Sequence, residues 1–248
     1  QNISEKFLEG VCIGDVATSY LALDDIKTAR SYLLRALQIH RETGNKRSEG
    51  ITLSNLAKVH SYKAQYTQAM SFYDQALDIH REIDNHQSAA IVLGAQGGIH
   101  NQLGEHEKAT NLLKKSLTIL EKIGNKRLFA IFTVDLGKTH LHVHQTHPAI
   151  DAFQRAATIF EEINATNSKV DCYHGLSEAY AQSKKLDLAE QYALRAQQYQ
   201  GIPNPAKQVL LDMHLALVYA KQKKWQLAAD ALPKDDTAVQ QQPLAYAL

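Results

Sequence analysis

A charge surplus, a long apolar run and a cysteine framework are all missing from this sequence. Lysine and arginine number 27 against 26 aspartates and glutamates, so the net charge is +1. A nucleic-acid binder carries a clear basic excess, and no nucleic-acid partner is expected through this segment. No window approaches the roughly 18 apolar residues that a membrane-crossing helix needs, so no membrane insertion is expected either. Two cysteines, Cys12 and Cys172, cannot make a disulfide framework. Only five prolines interrupt 248 residues, which leaves room for many uninterrupted helices. Hydrophobic residues are 44% of the chain, enough for a real core. The first residue is glutamine and no apolar leader follows, which suggests a fragment of a longer chain, with any signal peptide out of view. The compartment is left open, with a slight preference for the cytoplasm.

Glycine is plentiful in one place, the stretch LGAQGGIH at residues 93–100. A phosphate-cradling loop would need a preceding strand, a helix opening on the glycines, and a Lys-Ser/Thr pair or GxGxxG spacing. None is present. Self-similarity explains the stretch instead. In rows of 40 residues one column reads Ala29, Ala69, Ala109, Ala149 and Ala189, with Ala228 following after 39. A second column is always small: Ala17, Ala57, Gly97, Gly137, Ser177 and Ala216. Three residues on, a ring always stands: Tyr20, His60, His100, His140, Tyr180 and Tyr219. Each row holds two apolar stripes at helical spacing, such as Leu53-Leu56-Ala57-His60 and Ala69-Tyr73-Ala76-Ile79. Gly44-Asn45, Asp84-Asn85, Gly124-Asn125 and Asn164-Ala165 separate the rows, where Gly or Asn can supply a left-handed residue that closes a helix. A helix pair this small cannot bury its apolar face alone, so the rows should stack into a solenoid.

The pattern Leu56-Ala57-x-x-His60 followed by Ala69-x-x-x-Tyr73-x-x-Ala76 resembles the tetratricopeptide repeat (TPR). The longer period and the Gly-Asn linkers resemble the 40-residue variant found in kinesin light chains, spindle adaptors and bacterial regulators of the MalT and pheromone-receptor types. The resemblance implies an all-α, right-handed superhelical solenoid of antiparallel helix pairs. About six repeats are expected, near 9–48, 49–88, 89–128, 129–168, 169–207 and 208–248, in one solenoid. Gln96 departs from the pattern where leucine is usual, and Asp235 stands where the last alanine belongs. Row six looks decayed, with Pro233 cutting its second helix short, and residues 243–248 could open a seventh row.

The resemblance also implies that first helices line a concave groove. Gly97 then belongs to the small packing column, whereas Gly94 and Gly98 lie on the groove face. Two interior glycines without a packing role cost a helix about 1–2 kcal/mol relative to alanine. Close passage of a bound chain explains that cost, and so does a tightly packed neighbouring row. The other groove candidates are Ile51, Asn55 and Lys58, then Ile91 and Asn101, Ile131, Asp135 and Lys138, and finally His174 and Glu178. Val11, Ile51, Ile91 and Ile131 form an aliphatic column that either holds a ligand's apolar side chains or packs rows together. Asn55 resembles the groove asparagine with which relatives bind a peptide backbone, but its column, Asp15, Asn55, Ala95, Asp135 and Gly175, carries no ladder of them. The Lys and Asn clamp of chaperone-docking TPRs is missing as well.

Four histidines in HLHVHQTH, residues 140–147, invite a metal reading. His140 belongs to the ring column, and imidazoles two apart point to different sides of a helix, so no metal or other cofactor is implied. Cys12 and Cys172 share a column four rows apart and are expected as small buried residues too distant to pair. His40 and His80, each within Ile-His-Arg-Glu, are expected exposed on the second helix, and Trp225 is expected buried within its row. No nucleophile with a base, paired carboxylates or metal-ligand run survives the register, so no enzyme activity is expected. The leading function is a non-catalytic scaffold binding a protein or peptide segment in the groove. The alternative is a ligand-sensing module of a larger bacterial signalling or transcription protein. Self-association stays open, because a solenoid exposes apolar faces at its ends.

Overall fold

The computed structural model describes residues 3–198 and 205–232, and every element among them is helical. Two compact units divide the chain, residues 1–124 and 125–248. The first holds three helical hairpins: α1 (Ile3–Ala22) with α2 (Ile26–Glu42), α3 (Lys46–Tyr62) with α4 (Tyr66–Glu82), and α5 (His86–Gln102) with α6 (His106–Lys122). The second holds α7 (Lys126–His142) with α8 (Thr146–Glu162), α9 (Lys169–Gln182) with α10 (Leu186–Gln197), and α11 (Pro205–Lys221) with α12 (Trp225–Ala231). Three-residue turns join the members of each pair, so the second helix must run back along the first. Within unit one α2 packs on α3 and α4 on α5; within unit two α8 packs on α9 and α10 on α11. This is the helix-pair solenoid that the period implies. No helix among the described residues is long and apolar enough to cross a membrane.

The turns repeat as faithfully as the helices. Asp24, Ala64, Gly104, His144, Lys184 and Lys223 all have positive φ, one per hairpin turn. The amide after each donates back to the ring-column carbonyl five residues earlier: Gln65 N–H to His60 O at 2.9 Å and Glu105 N–H to His100 O at 2.8 Å are two examples. That bond closes the helix in a Schellman motif and satisfies a carbonyl that the helix end would otherwise strand. Between hairpins the work is shared by two residues. Gly44, Asp84 and Gly124 take the left-handed position. Asn45, Asn85 and Asn125 then cap the next helix, their side chains accepting from the amides of Ser48, Ser88 and Leu128. Ala165 has no side chain to do this, and there a 3-10 turn, Thr166–Ser168, precedes a shorter α9.

Close packing explains the small columns. A Cβ on Gly97 would stand 3.0 Å from Leu113 Cγ and 3.3 Å from the Ala109 carbonyl. Phe153 sits between two such positions, where a Cβ on Gly137 would approach it to 2.8 Å and one on Gly175 to 2.4 Å. Burying a ring of this size contributes about 1.5–3 kcal/mol. Gln96, the departure from leucine, is buried but satisfied: its Nε2 donates to Asp74 Oδ1 at 2.7 Å.

Three expectations need correction. His40 and His80 are fully buried rather than exposed, because α1 and α3 place glycines beneath them. A Cβ on Gly10 would lie 3.0 Å from His40 Cε1, and one on Gly50 2.6 Å from His80 Cε1. Cys12 is exposed on α1, whereas Cys172 is buried as expected. Trp225 is 67% exposed because α12 lasts only seven residues and buries nothing. Leu232 is extended, as a residue before proline tends to be. Pro233, Asp235 and residues 243–248 lie outside the described residues.

Candidate functional site

In unit one the candidates fall on one side of α3 and α5. Ile51 and Ile91 are solvent-exposed at 42% and 37%, an unusual state for isoleucine at matching positions of two helices. Asn55 is half-buried one turn after Ile51, and Lys58 is exposed with its ammonium 5.6 Å from the Tyr62 ring centre. The two glycines separate. Gly94 is buried, while Gly98 is exposed with nothing within 4 Å of where a Cβ would stand. Asn101 is half-buried and its Oδ1 accepts from His106 Nδ1 at 3.1 Å.

In unit two the corresponding side of α7, α9 and α11 is more polar. Ile131 is exposed, and Asp135 is half-buried with Lys138 at 3.6 Å. His174 and Glu178 are both half-buried on α9. His174 meets the edge of His214 from α11, with ring centres 4.6 Å apart. The Ser177 hydroxyl donates to the Ala189 carbonyl at 2.6 Å, which leaves it to accept from His214 Nε2–H at 2.8 Å. Lys207 reaches from α11 to Asp171 on α9 at 2.8 Å. Leu210, Met213 and Leu217, spaced along one side of α11, are exposed at 40%, 45% and 51%.

Leu210 and Leu217 extend the columns of Ile131 and Lys138 into the sixth hairpin, offset by 39 rather than 40, and sequence reasoning passed over them. The same shift in the alanine column, from Ala189 to Ala228, was the signal that would have found them.

Crowding on this side of unit two perturbs its titratable groups. Burial holds the Asp135 carboxyl above its ordinary range despite the opposing Lys138 ammonium. Burial also raises Glu178, against the pull of Lys138 and Lys221. His174 is lowered, mainly by burial, and His214 falls to about 3 through burial and then the neighbouring His174 and Lys221. Both imidazoles are therefore neutral near pH 7.

The histidines of residues 140–147 do not converge. His140 Nδ1 donates to Gln145 Oε1 at 2.7 Å, as His60 does to Gln65 at 2.8 Å. His100 pairs in the same manner with Glu105 at 2.5 Å. The three histidines of the ring column thus fasten the last residue of their hairpin turns. His142, His144 and His147 are exposed, and no metal-holding group of three His, Cys, Asp or Glu occurs among the described residues.

The tetratricopeptide repeat family model matches residues 13–82 and 48–122, overlapping spans that cover α2 to α6 and the second half of α1. The first three hairpins thus carry the TPR signature. Solved TPR structures carry the fold across the remaining hairpins. A STAND (signal transduction ATPase with numerous domains) protein with a TPR sensor, from Pyrococcus horikoshii, is 21% identical with a TM-score of 0.73, covering 91% of this chain and 36% of its own. A Rap protein complexed with competence and sporulation factor is 19% identical, TM-score 0.73, over 90% and 66%. The anaphase-promoting complex (APC/C) hetero-tetramer Cut9-Hcn1 is 19% identical, TM-score 0.69, over 93% and 42%. At these identities the likeness shows the TPR fold alone. The chain spans about a third of the length of the STAND protein it matches. No curated protein matches it by sequence.

Proposed function

We propose that this TPR chain is a non-catalytic scaffold whose first-helix face forms a groove for a protein or peptide segment. TPR arrays are protein-interaction modules, and the observation supporting groove use is the aliphatic column. Ile51 and Ile91 in unit one and Ile131 and Leu210 in unit two occupy one register position and each remains at least 36% exposed. Apolar side chains left in water at a fixed period fit contact with a partner better than packing within the array, which would have buried them. Peptides recognised this way lie extended or as a short helix, with apolar side chains as anchors. A photo-crosslinking residue tests the reading. Placed at Ile91 on α5 it should capture a partner in cells, while the same residue at exposed Thr118 on α6 should not. Equal capture at both positions, or none at Ile91, refutes groove use.

A second reading, a sensing module within a larger regulator, is favoured by one observation: the STAND structure that this chain matches carries its TPRs as a sensor. A DNA-binding, cyclase or kinase domain encoded beside this segment would support it.

A further inference from the structure

Within the proposed groove of unit two, two acceptors on α9 lack a hydrogen-bond partner among the described residues. His174, Glu178 and Gln182 stand four residues apart along α9, so they form one stripe. Gln182 Oε1 is buried without a hydrogen-bond partner. Glu178 is half-buried, and among the described residues no hydrogen bond or ion pair reaches its carboxylate. Two cations of this face are already committed to other carboxylates: Lys138 lies 3.6 Å from Asp135 and Lys207 lies 2.8 Å from Asp171. Lys221 acts on Glu178 only through space and is itself exposed. Across from this stripe, α11 presents Leu210, Met213 and Leu217 to solvent.

We propose that the α9–α11 face takes a peptide segment bearing a Lys or Arg side chain beside aliphatic ones, with the cation on Glu178 and the aliphatic groups on Leu210, Met213 and Leu217. This rests on the groove reading above and names the chemistry of its occupant. A carboxylate that loses water when a segment covers it must gain a cation or N–H donors, because an uncompensated buried charge is strongly disfavoured. An acidic or purely apolar segment would leave Glu178 in that state. A basic segment supplies a charge-assisted hydrogen bond, with arginine able to engage both carboxylate oxygens. Gln182 Oε1, one turn on, can accept a backbone amide from the same segment. The burial that lifts the Glu178 carboxyl and would be relieved by a bound cation agrees with this assignment.

The test is selection of a random heptapeptide display library on the immobilised full chain, with Glu178→Gln and Leu217→Asp as variants of equal thermal midpoint. The expected pool is enriched in Lys or Arg next to Leu, Ile or Val. Its affinity should fall about tenfold on Glu178→Gln, the loss of one charged hydrogen bond, and binding should vanish on Leu217→Asp. A pool without basic enrichment, or one rich in Asp and Glu, that Leu217→Asp still abolishes overturns the basic-segment assignment and leaves the groove standing. A pool indifferent to both substitutions, or no enrichment at all, overturns both.

Discussion

Adding a single methyl group to this protein should have opposite consequences at Gly50 and Gly98, two glycines in the middle of first helices. In each helix alanine is intrinsically favoured over glycine by about 0.5–1 kcal/mol. At Gly98 nothing lies within 4 Å of the new methyl, so Gly98→Ala should stabilise unit one by about that amount. At Gly50 the methyl would stand 2.6 Å from His80 Cε1, 3.0 Å from Nδ1 and 3.2 Å from Nε2. The imidazole is fully buried and cannot swing out into solvent without unpacking the hairpin. Overpacking of this kind costs about 1–3 kcal/mol, so after the helix gain Gly50→Ala should destabilise by up to about 2.5 kcal/mol. The array itself indicates a remedy. At matching positions of the third hairpin stand Ala90 and Leu120, both fully buried. Gly50→Ala with His80→Leu recreates that pair and should recover most of the loss, while also removing two imidazole nitrogens buried without partners. Urea unfolding of the four proteins followed by circular dichroism decides the matter. If Gly50→Ala stabilises as Gly98→Ala does, the ring does not occupy the space assigned to it and the packing argument is wrong.

Acid should weaken the fold through histidines that burial keeps neutral. His214 has a folded pKa of about 3 against an ordinary 6.5, so the unfolded chain binds the extra proton and stability falls as pH drops below 6.5. From pH 7 to pH 5 this one group removes about 2 kcal/mol, and His40, His80 and His174, also lowered by burial, act in the same direction. Asp135 and Glu178, both raised, oppose the trend as pH falls toward the ordinary carboxylate range. His214→Gln should flatten the slope of urea midpoint against pH between 7 and 5, and an unchanged slope refutes the assignment. Ala64 has φ of +53°, which costs a side-chain-bearing residue about 1 kcal/mol, so Ala64→Gly should raise stability by a comparable amount in the same assay. Asn85→Ala removes the side chain that caps α5 through Ser88 N–H at 3.2 Å and should cost about 1 kcal/mol. A thermal midpoint that does not move would exclude the cap.

What the sequence made legible was whatever has the same neighbour in every row. Ala29, Ala69, Ala109, Ala149 and Ala189 are buried to 0% because each meets a first helix at its closest approach, so selection by packing repeats with the period. Burial of His40 and His80 escaped notice because imidazole is equally at home in water and in a core. The clue was distributed across two helices: Gly10 and Gly50 lie thirty residues earlier, where the next rows have Ala90 and Ala130 beneath Leu120 and Phe160. Ring and platform vary together, and neither column alone announces it. Cys12 and Trp225 failed for another reason. They occupy regular register positions on α1 and on the seven-residue α12, and register alone does not say which positions a neighbouring helix covers.

Face columns obey no such constraint, and their drift is informative. The position of Ile51 reads Ile, Ile, Ile, Asp and Leu through the later hairpins, and that of Lys58 reads Lys, Gly, Lys, Glu and Leu. If these residues served packing, the changes from Lys58 and Lys138 to Glu178 and then Leu217 would each need a compensating neighbour in the core. No such exchange is needed at Lys58, Lys138 and Leu217, which are exposed, and Glu178 is only half-buried. The two units therefore present different chemistry from one scaffold: aliphatic and amide groups beside an open glycine in the first, carboxylates and an apolar ledge in the second. Substitutions at Ile91 and at Leu217 should then discriminate between segments of a partner. A ligand that loses affinity equally from both must span both chemistries, and one that loses it from a single site reads that unit alone.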